Sequence, residues 1–221
     1  VPFKTVQAAV DAVAAAGDNS ASKPYVIEVA PGVYPGNITL EDTNLVFLSF
    51  VGSGINSTRI TGNIQSTSNN ANLSSVYFHR FLISGTLNFV GDGSNFGGDL
   101  EFSYCVCTGT ANFESIVTGG FKNSKVDQDV TFTNVTMGWL SSGEGQNPSR
   151  NLNVNFDDTK PGSTPCYVII ENALCGTVIT QRVGATGAAI AQFRNGTRAA
   201  AVNNGANCTI VMYAGVAIQG A

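Results

Sequence analysis

The residues able to do chemistry in this chain are few, and most are acids. Fifteen Asp and Glu stand against one histidine in 221 residues. Asp99 and Glu101, and Asp127 and Asp129, are pairs separated by one residue, so on a strand both members share a face. Two carboxylates at a controlled separation are what glycoside hydrolysis requires, about 5 Å apart for retention and up to about 9.5 Å for inversion. Glu114 and the adjacent Asp157 and Asp158 are further acids of the same kind. Fifteen acids place some pair in range by accident, so spacing alone assigns no reaction. Should the chain be an enzyme, Asp99, Glu101, Asp127 and Asp129 are its catalytic candidates. His79, between Phe78 and Arg80, is expected as an outward strand residue. A single histidine argues against a Ser-His-Asp triad and against a zinc centre. Trp139, the one tryptophan, with the tyrosines either forms a sugar-stacking platform or packs. No cofactor and no metal are expected.

The elements that must position these residues follow from composition and pattern. Only 12% of residues are charged, 43% are hydrophobic and 25 are glycine. Average proteins carry about 25% charged residues, so solubility here rests on Asn, Ser and Thr, as suits an all-β protein with uncharged polar faces. A net charge of −4, with eleven Lys and Arg scattered singly, excludes the basic stripe of a nucleic-acid binder. No run of about 18 apolar residues marks a transmembrane helix, and no leader is visible at Val1. Neither nucleic acid nor membrane is an expected partner. Five cysteines (Cys105, Cys107, Cys166, Cys175, Cys208) are odd in number and lack a framework spacing. They are expected as buried small apolar groups in a chain folded in a reducing cytoplasm.

Val6, Ala9, Val10 and Val13 fall at i, i+3, i+4 and i+7, with Thr5 as cap and Gly17 as stop, which predicts a helix over 4–16. Beyond it a pattern recurs: a glycine, a small or polar residue, then an apolar residue. The instances are Gly36-Asn-Ile38, Gly62-Asn-Ile64, Gly85-Thr-Leu87, Gly109-Thr-Ala111 and Gly176-Thr-Val178. The first four glycines are 26, 23 and 24 residues apart, and Gly138 is a candidate degenerate member. Val76–Phe89 aligns with Leu100–Phe113, and Val130–Gly138 and Tyr167–Val178 fit more loosely. A period in the twenties built from short strands predicts a parallel β-solenoid. The repeat glycines are expected where the chain turns with φ > 0. Segments 66–72, 91–99 and 141–151 are expected as loops extruded from turns. Six or seven coils at about 4.8 Å would give a rod about 30 Å long.

The opening residues Phe3-Lys-Thr-Val-Gln-Ala-Ala-Val-Asp-Ala, Tyr25-Val-Ile-Glu-Val-Ala-Pro-Gly-Val-Tyr, Leu45-Val-Phe-Leu-Ser-Phe-Val-Gly-Ser-Gly and Thr58-Arg-Ile-Thr-Gly resemble the start of pectinesterases in the pectin-lyase-like superfamily. The resemblance covers about sixty residues. It implies a single-stranded right-handed parallel β-helix whose helix caps the first coil. The same opening introduces the β-helix domains of bacteriophage tailspikes and other virion proteins. Pectinesterases carry aspartates in Gln-Asp-Thr and Asp-Phe-Ile-Phe-Gly contexts, an arginine after glycine and a further glutamine. Here Gln128-Asp129 is followed by Val-Thr-Phe, no aspartate precedes Phe-Ile-Phe-Gly, and no arginine follows a glycine. The lyase branch would need acidic calcium ligands beside a basic residue. Asp127, Asp129 and Lys125 are the nearest match, against a solvated turn beside Gly119-Gly120.

The expected organisation is a capping helix and loop over 1–24, a parallel β-helix over 25–182, and a separate C-terminal β cap or oligomerisation element over 183–221. Two functions compete. One is a non-enzymatic bacteriophage virion-surface protein, a homotrimer in capsid decoration or in a tail fibre or spike, contacting other virion proteins. The other is a polysaccharide-binding or polysaccharide-degrading β-helix of tailspike type, acting on host-surface polysaccharide.

Overall fold

A computed structural model describes residues 2–40, 45–66, 74–91, 99–141, 150–159, 165–184, 187–195, 197–213 and 215–218. Among the described residues the chain is an all-β parallel solenoid with one short helix, compatible with a right-handed β-helix. Its strands form three sheets. Sheet A has nine strands from Tyr25–Val29 to Thr209–Met212, sheet B five from Gly32–Tyr34 to Lys125–Val126, and sheet C nine from Ile38–Thr39 to Ala217–Ile218. Every strand pairs in parallel with the equivalent strand one turn later, so each turn is a rung. The expected loop segments 66–72, 91–99 and 141–151 fall almost wholly outside the described residues.

Helix α1 spans Val6–Ala16, two residues shorter at its start than the pattern predicts. The reason is the cap: Thr5 is extended and its side chain accepts from the Ala8 N–H. Gly17 ends it in the left-handed region at φ 62, returning its N–H to the Val13 carbonyl. The apolar stripe Val6, Ala9, Val10 and Val13 is buried on rung one. Gln7 does more than pack. Its amide donates to Thr39 O (3.2 Å) and accepts from Thr39 N (2.7 Å), supplying the free edge of sheet C with the bonds that a lower rung would make.

Inward residues stack in columns. In sheet A, Phe50, Phe78, Phe102 and Phe121 lie in register, with successive ring centroids 4.3, 4.9 and 5.5 Å apart. In sheet C, Phe89, Phe113 and Phe132 follow at 5.9 and 5.2 Å. The alignment of Val76–Phe89 with Leu100–Phe113 holds residue for residue, since Val76 pairs with Leu100, Leu82 with Val106 and Leu87 with Ala111. All five cysteines are free and buried. Burial pushes the Cys105 and Cys166 thiols up to about 12.

The repeat glycines are explained by contact, not by backbone angle. None of Gly36, Gly62, Gly85, Gly109 and Gly176 has positive φ. Instead, a Cβ on Gly62, Gly85 or Gly109 would lie 2.2, 2.1 or 2.2 Å from the carbonyl oxygen of the glycine one rung below. The column demands a bare backbone because backbone sits directly beneath it. Left-handed corners are made by other residues: Arg80, Tyr104, Asn123, Asn172 and Asn195 each follow a strand of sheet A with φ between 36 and 64. Asn tolerates this region best among side-chain-bearing residues, which accounts for three of the five.

Two sequence expectations are corrected. Gly138 belongs to sheet A, paired with Gly119 and pressed against Phe132 and Val168, and is not a repeat glycine. Val130–Thr133 lies in sheet C above Ala111–Glu114, not in the sheet A register that the alignment implied. The rod also carries more rungs than the glycine spacing indicates. Segment 183–221 has lost the glycine signal, but Ala189, Ala191 and Phe193 still alternate inward. Its strands extend sheets A and C, giving nine rungs among the described residues, about 38 Å of rod at about 4.8 Å per rung.

Above rung four the glycine column continues as Gln128, Arg150 and Gly176. Arg150 is only 2% exposed. Its guanidinium donates to Val126 O (3.2 Å) and twice to Leu174 O (3.1 and 3.3 Å). On lower rungs the matching sheet B carbonyls accept from the backbone of the rung above, as Thr108 N does to Ile83 O and Asp127 N to Cys107 O. Arg150 takes that backbone donor's place over Val126, the final residue of the last described strand of sheet B. Burial lowers its pKa.

Gly85→Ala should lose about 1–3 kcal/mol to overpacking, whereas Gly36→Ala, whose Cβ meets nothing within 4 Å, should stay within about 0.5 kcal/mol. Urea unfolding of the two variants checks the difference.

Candidate functional site

The solenoid separates the acidic candidates. Asp99 and Glu101 project from sheet A, half-buried, on the strand Asp99–Ser103. Asp127 and Asp129 sit at the corner leading into sheet C, where Asp127 pairs with Lys125 at 2.9 Å. Glu114 lies on the outer face of sheet C. Asp157 accepts from the Thr159 N–H (3.0 Å) and hydroxyl (2.6 Å), tying down its own turn. Asp158 stands next to it at the end of rung six.

Asp129 has a structural assignment. The register of sheet C places it in a column running Asn37, Asn63, Thr86, Thr110, Asp129, Asn151 and Thr177. Within that column Asn37 Oδ1 accepts from Asn63 N (2.9 Å), and Asn63 Oδ1 accepts from Thr86 N (3.0 Å). Asp129 Oδ1 accepts from Asn151 N (2.6 Å) and Oδ2 from Asn151 Nδ2 (3.3 Å). Its carboxylate does what the asparagines do lower down, handing one rung to the next. The residue directly above it is an amide and the one directly below a hydroxyl, so the column gives Asp129 no second carboxylate for acid–base work.

Glu101 is likewise engaged. Lys122, one rung up, pairs with it at 2.6 Å, and this hydrogen bond raises the Lys122 pKa. The Lys122 ammonium also lies 5.3 Å from the centre of the Trp139 ring. The geometry follows from register: Tyr77, Glu101, Gly120 and Trp139 form one outward row on four successive rungs, and His79, Ser103 and Lys122 the neighbouring row. Gly120 leaves a gap in its row. At φ 148 an added Cβ would strike the Trp139 carbonyl at 2.0 Å, so Lys122 reaches across bare backbone to touch Glu101 and Trp139.

His79 stacks beside Tyr77 with ring planes 10° apart and shares a hydrogen bond with Ser103. It is half-buried where the sequence reading expects an exposed position. Desolvation lowers its pKa against the pull of Glu101. Ser103 is 3% exposed, so the pair presents no accessible nucleophile.

Higher on the same face, Tyr167, Gln192 and Tyr213 form a hydrogen-bonded chain: Tyr167 donates to Gln192 Oε1, and Gln192 Nε2 donates to the Tyr213 hydroxyl. Arg194 adds a bond to Gln192 Oε1 (2.6 Å) and lies 5.8 Å from the Tyr213 ring centre. Sequence reasoning did not find this face, because Tyr167 and Gln192 are 25 residues apart and Gln192 and Tyr213 are 21, so they meet only through register. The usable signal is that outward positions of sheet A carry aromatic and charged groups, while those of sheet C carry amides and hydroxyls.

An apolar groove of about 390 Å³ lies between α1 and rung one, lined by Phe3, Val6, Tyr25, Val29 and Tyr34. Among the described residues no group of three His, Cys, Asp or Glu comes together, and no helix is long and apolar enough to cross a membrane. No protein-family model, no curated protein and no solved structure matches the chain.

Asp129→Asn keeps the acceptor and should change stability by less than about 0.5 kcal/mol. Asp129→Ala strips the Asn151 N–H of its partner and should cost about 1–2 kcal/mol. Equal losses in chemical denaturation would contradict the ladder assignment.

Proposed function

We propose that this chain is a non-enzymatic structural module of a bacteriophage virion surface, a homotrimer serving in capsid decoration or in a tail fibre or spike. The observation that carries the reading is the engagement of three of the four candidate acids. Asp129 holds a rung, Asp127 pairs with Lys125, and Glu101 pairs with Lys122. Carboxylates that work as joints of a rod support a scaffold over a hydrolase or a lyase. The opening resemblance to the pectin-lyase-like superfamily, without that superfamily's pectinesterase motifs, points the same way.

Trimer formation is supported by the outer face of sheet C. From Gln65 to Asn155 its outward side chains are mainly amides and hydroxyls that bond one another, as Asn112 to Asn88 (3.0 Å) and Asn153 to Thr131 (3.2 Å). Packing such a face against another copy desolvates few charges, Glu114 being the carboxylate on its register line. Placement at a virion surface also fits a chain with only 12% charged residues and polar Asn, Ser and Thr on its outer faces.

Native mass spectrometry at micromolar concentration should give three times 22.9 kDa, and incubation with host-envelope polysaccharide should release no reducing ends or unsaturated products. A monomer would overturn the assembly. Sugar release abolished by Glu101→Gln would overturn the non-enzymatic reading.

A further inference from the structure

The lower end of the rod leaves one strand edge unfinished. Gln7 supplies the missing bonds at the edge of sheet C, but among the described residues nothing does so for sheet A. Peptide groups alternate in direction along a strand. The Tyr25 N–H donates to Phe47 O, and Val29 O accepts from the Ser53 hydroxyl, so Tyr25, Ile27 and Val29 face the second rung. Val26 and Glu28 therefore turn their N–H and C=O groups the other way, toward the free end. The next carbonyl on that side, Ala30 O, is already taken by the Tyr34 hydroxyl (2.9 Å). Val26 and Glu28 thus hold two open donors and two open acceptors, on residues about 6.6 Å apart.

These groups open onto the groove of about 390 Å³ beside α1. All six residues from Tyr25 to Ala30 line it, inward and outward positions alike, so the strand meets the groove with its edge. Val6, Ala9 and Ala12 of α1 form the opposite wall. Phe3 and Val26, at 57% and 56% exposed, flank it.

We propose that this edge takes an extended apolar segment of a neighbouring virion protein, carrying a basic residue, as an added strand. Three observations select that occupant. The first is the backbone. Donors and acceptors repeating every two residues are matched by another strand, which places alternate side chains in the groove. The second is the helix. A further rung would lie about 4.8 Å below Tyr25–Val29, and α1 is about 10 Å thick, so the end of a second rod is held off. A single extended segment enters beside the helix. The third is charge. Glu28 is exposed, and no described cation pairs with it, which favours a lysine or arginine next to it on the added strand. The inference rests on the virion-surface reading for the source of the segment, while the site itself needs no trimer.

The probe is a fluorescein-labelled hexapeptide, Val-Thr-Val-Lys-Val-Thr, titrated with the intact protein and followed by anisotropy. Saturable binding is expected, weakened when the lysine is replaced by glutamate. Val26→Pro removes one open donor and no bond of the sheet, and Ala12→Glu puts a charge at an exposed position of the groove wall. Each should weaken binding about tenfold or more, equivalent to about 1.4 kcal/mol, with circular dichroism melting showing that both variants fold. Two further peptides carry N-methyl groups on the three valines or on the other three residues. One of them should lose binding and the other keep it, because only alternate N–H groups face the edge. Amide exchange at Val26 and Glu28 should slow when peptide is added. Equal binding of the two methylated peptides overturns the proposal, since it would mean apolar filling without strand pairing. So does the absence of saturable binding up to about 1 mM. Self-association that Val26→Pro abolishes would make a second copy the occupant and also overturns it. Native mass and polysaccharide release test the virion-surface reading separately, so the two fail independently.

Discussion

The approach of one rung's backbone to the next, about 4.8 Å in a β-stack, is the constraint on which the rest of this molecule depends. At Gly62, Gly85 and Gly109 it is so close that no side chain fits above the glycine below. Once that spacing is set, every outward residue acquires neighbours from turns about two dozen residues away. The phenylalanine columns inside and the amide column at the sheet C corner are both consequences. So are the neighbours of Asp129, because the column that carries it fixes Asn151 above and Thr110 below.

Where the backbone stack is interrupted, side chains supply the missing bonds. Gln7 does so at the lower edge of sheet C, offering donor and acceptor to Thr39. Arg150 does so above the last described strand of sheet B. The two differ in cost. An amide at a partly exposed edge gives up little solvation, whereas a guanidinium that is 2% exposed is tolerable only because its bonds to two backbone carbonyls replace part of its lost hydration.

Much of the fold was legible in the sequence because stacking imposes local rules. The glycine period, the alternation and the Thr5 and Gly17 helix signals each report a contact made within one turn or between adjacent turns. The errors have a common physical source. A short apolar alternation looks the same in sheet A and sheet C, so Gly138 and Val130–Thr133 were assigned to the wrong faces. The role of the glycines was also misread, since turn geometry and close approach leave the same residue in the sequence. The outer face of sheet A was not legible. Tyr77, Glu101, Gly120 and Trp139 become a row only when the register is known to the residue, and turn lengths of 24, 19 and 19 residues between them hide it. Asp129 is the reverse case: it stands out in sequence beside Gln128, yet its bonds are those of a ladder asparagine.

Register is therefore the central claim, and engineered disulfides test it most directly. Asn112 and Thr131 are paired on adjacent rungs of sheet C, while Thr133 is one outward step further along. A disulfide needs Cα atoms within about 6.8 Å. The five native cysteines are buried and do not compete in the folded chain. The double variant N112C/T131C should oxidise readily to an intramolecular bond and raise the melting temperature, while N112C/T133C should remain reduced under the same conditions. Preferential closure of N112C/T133C would contradict the register, and with it the ladder and the outer face that depend on it.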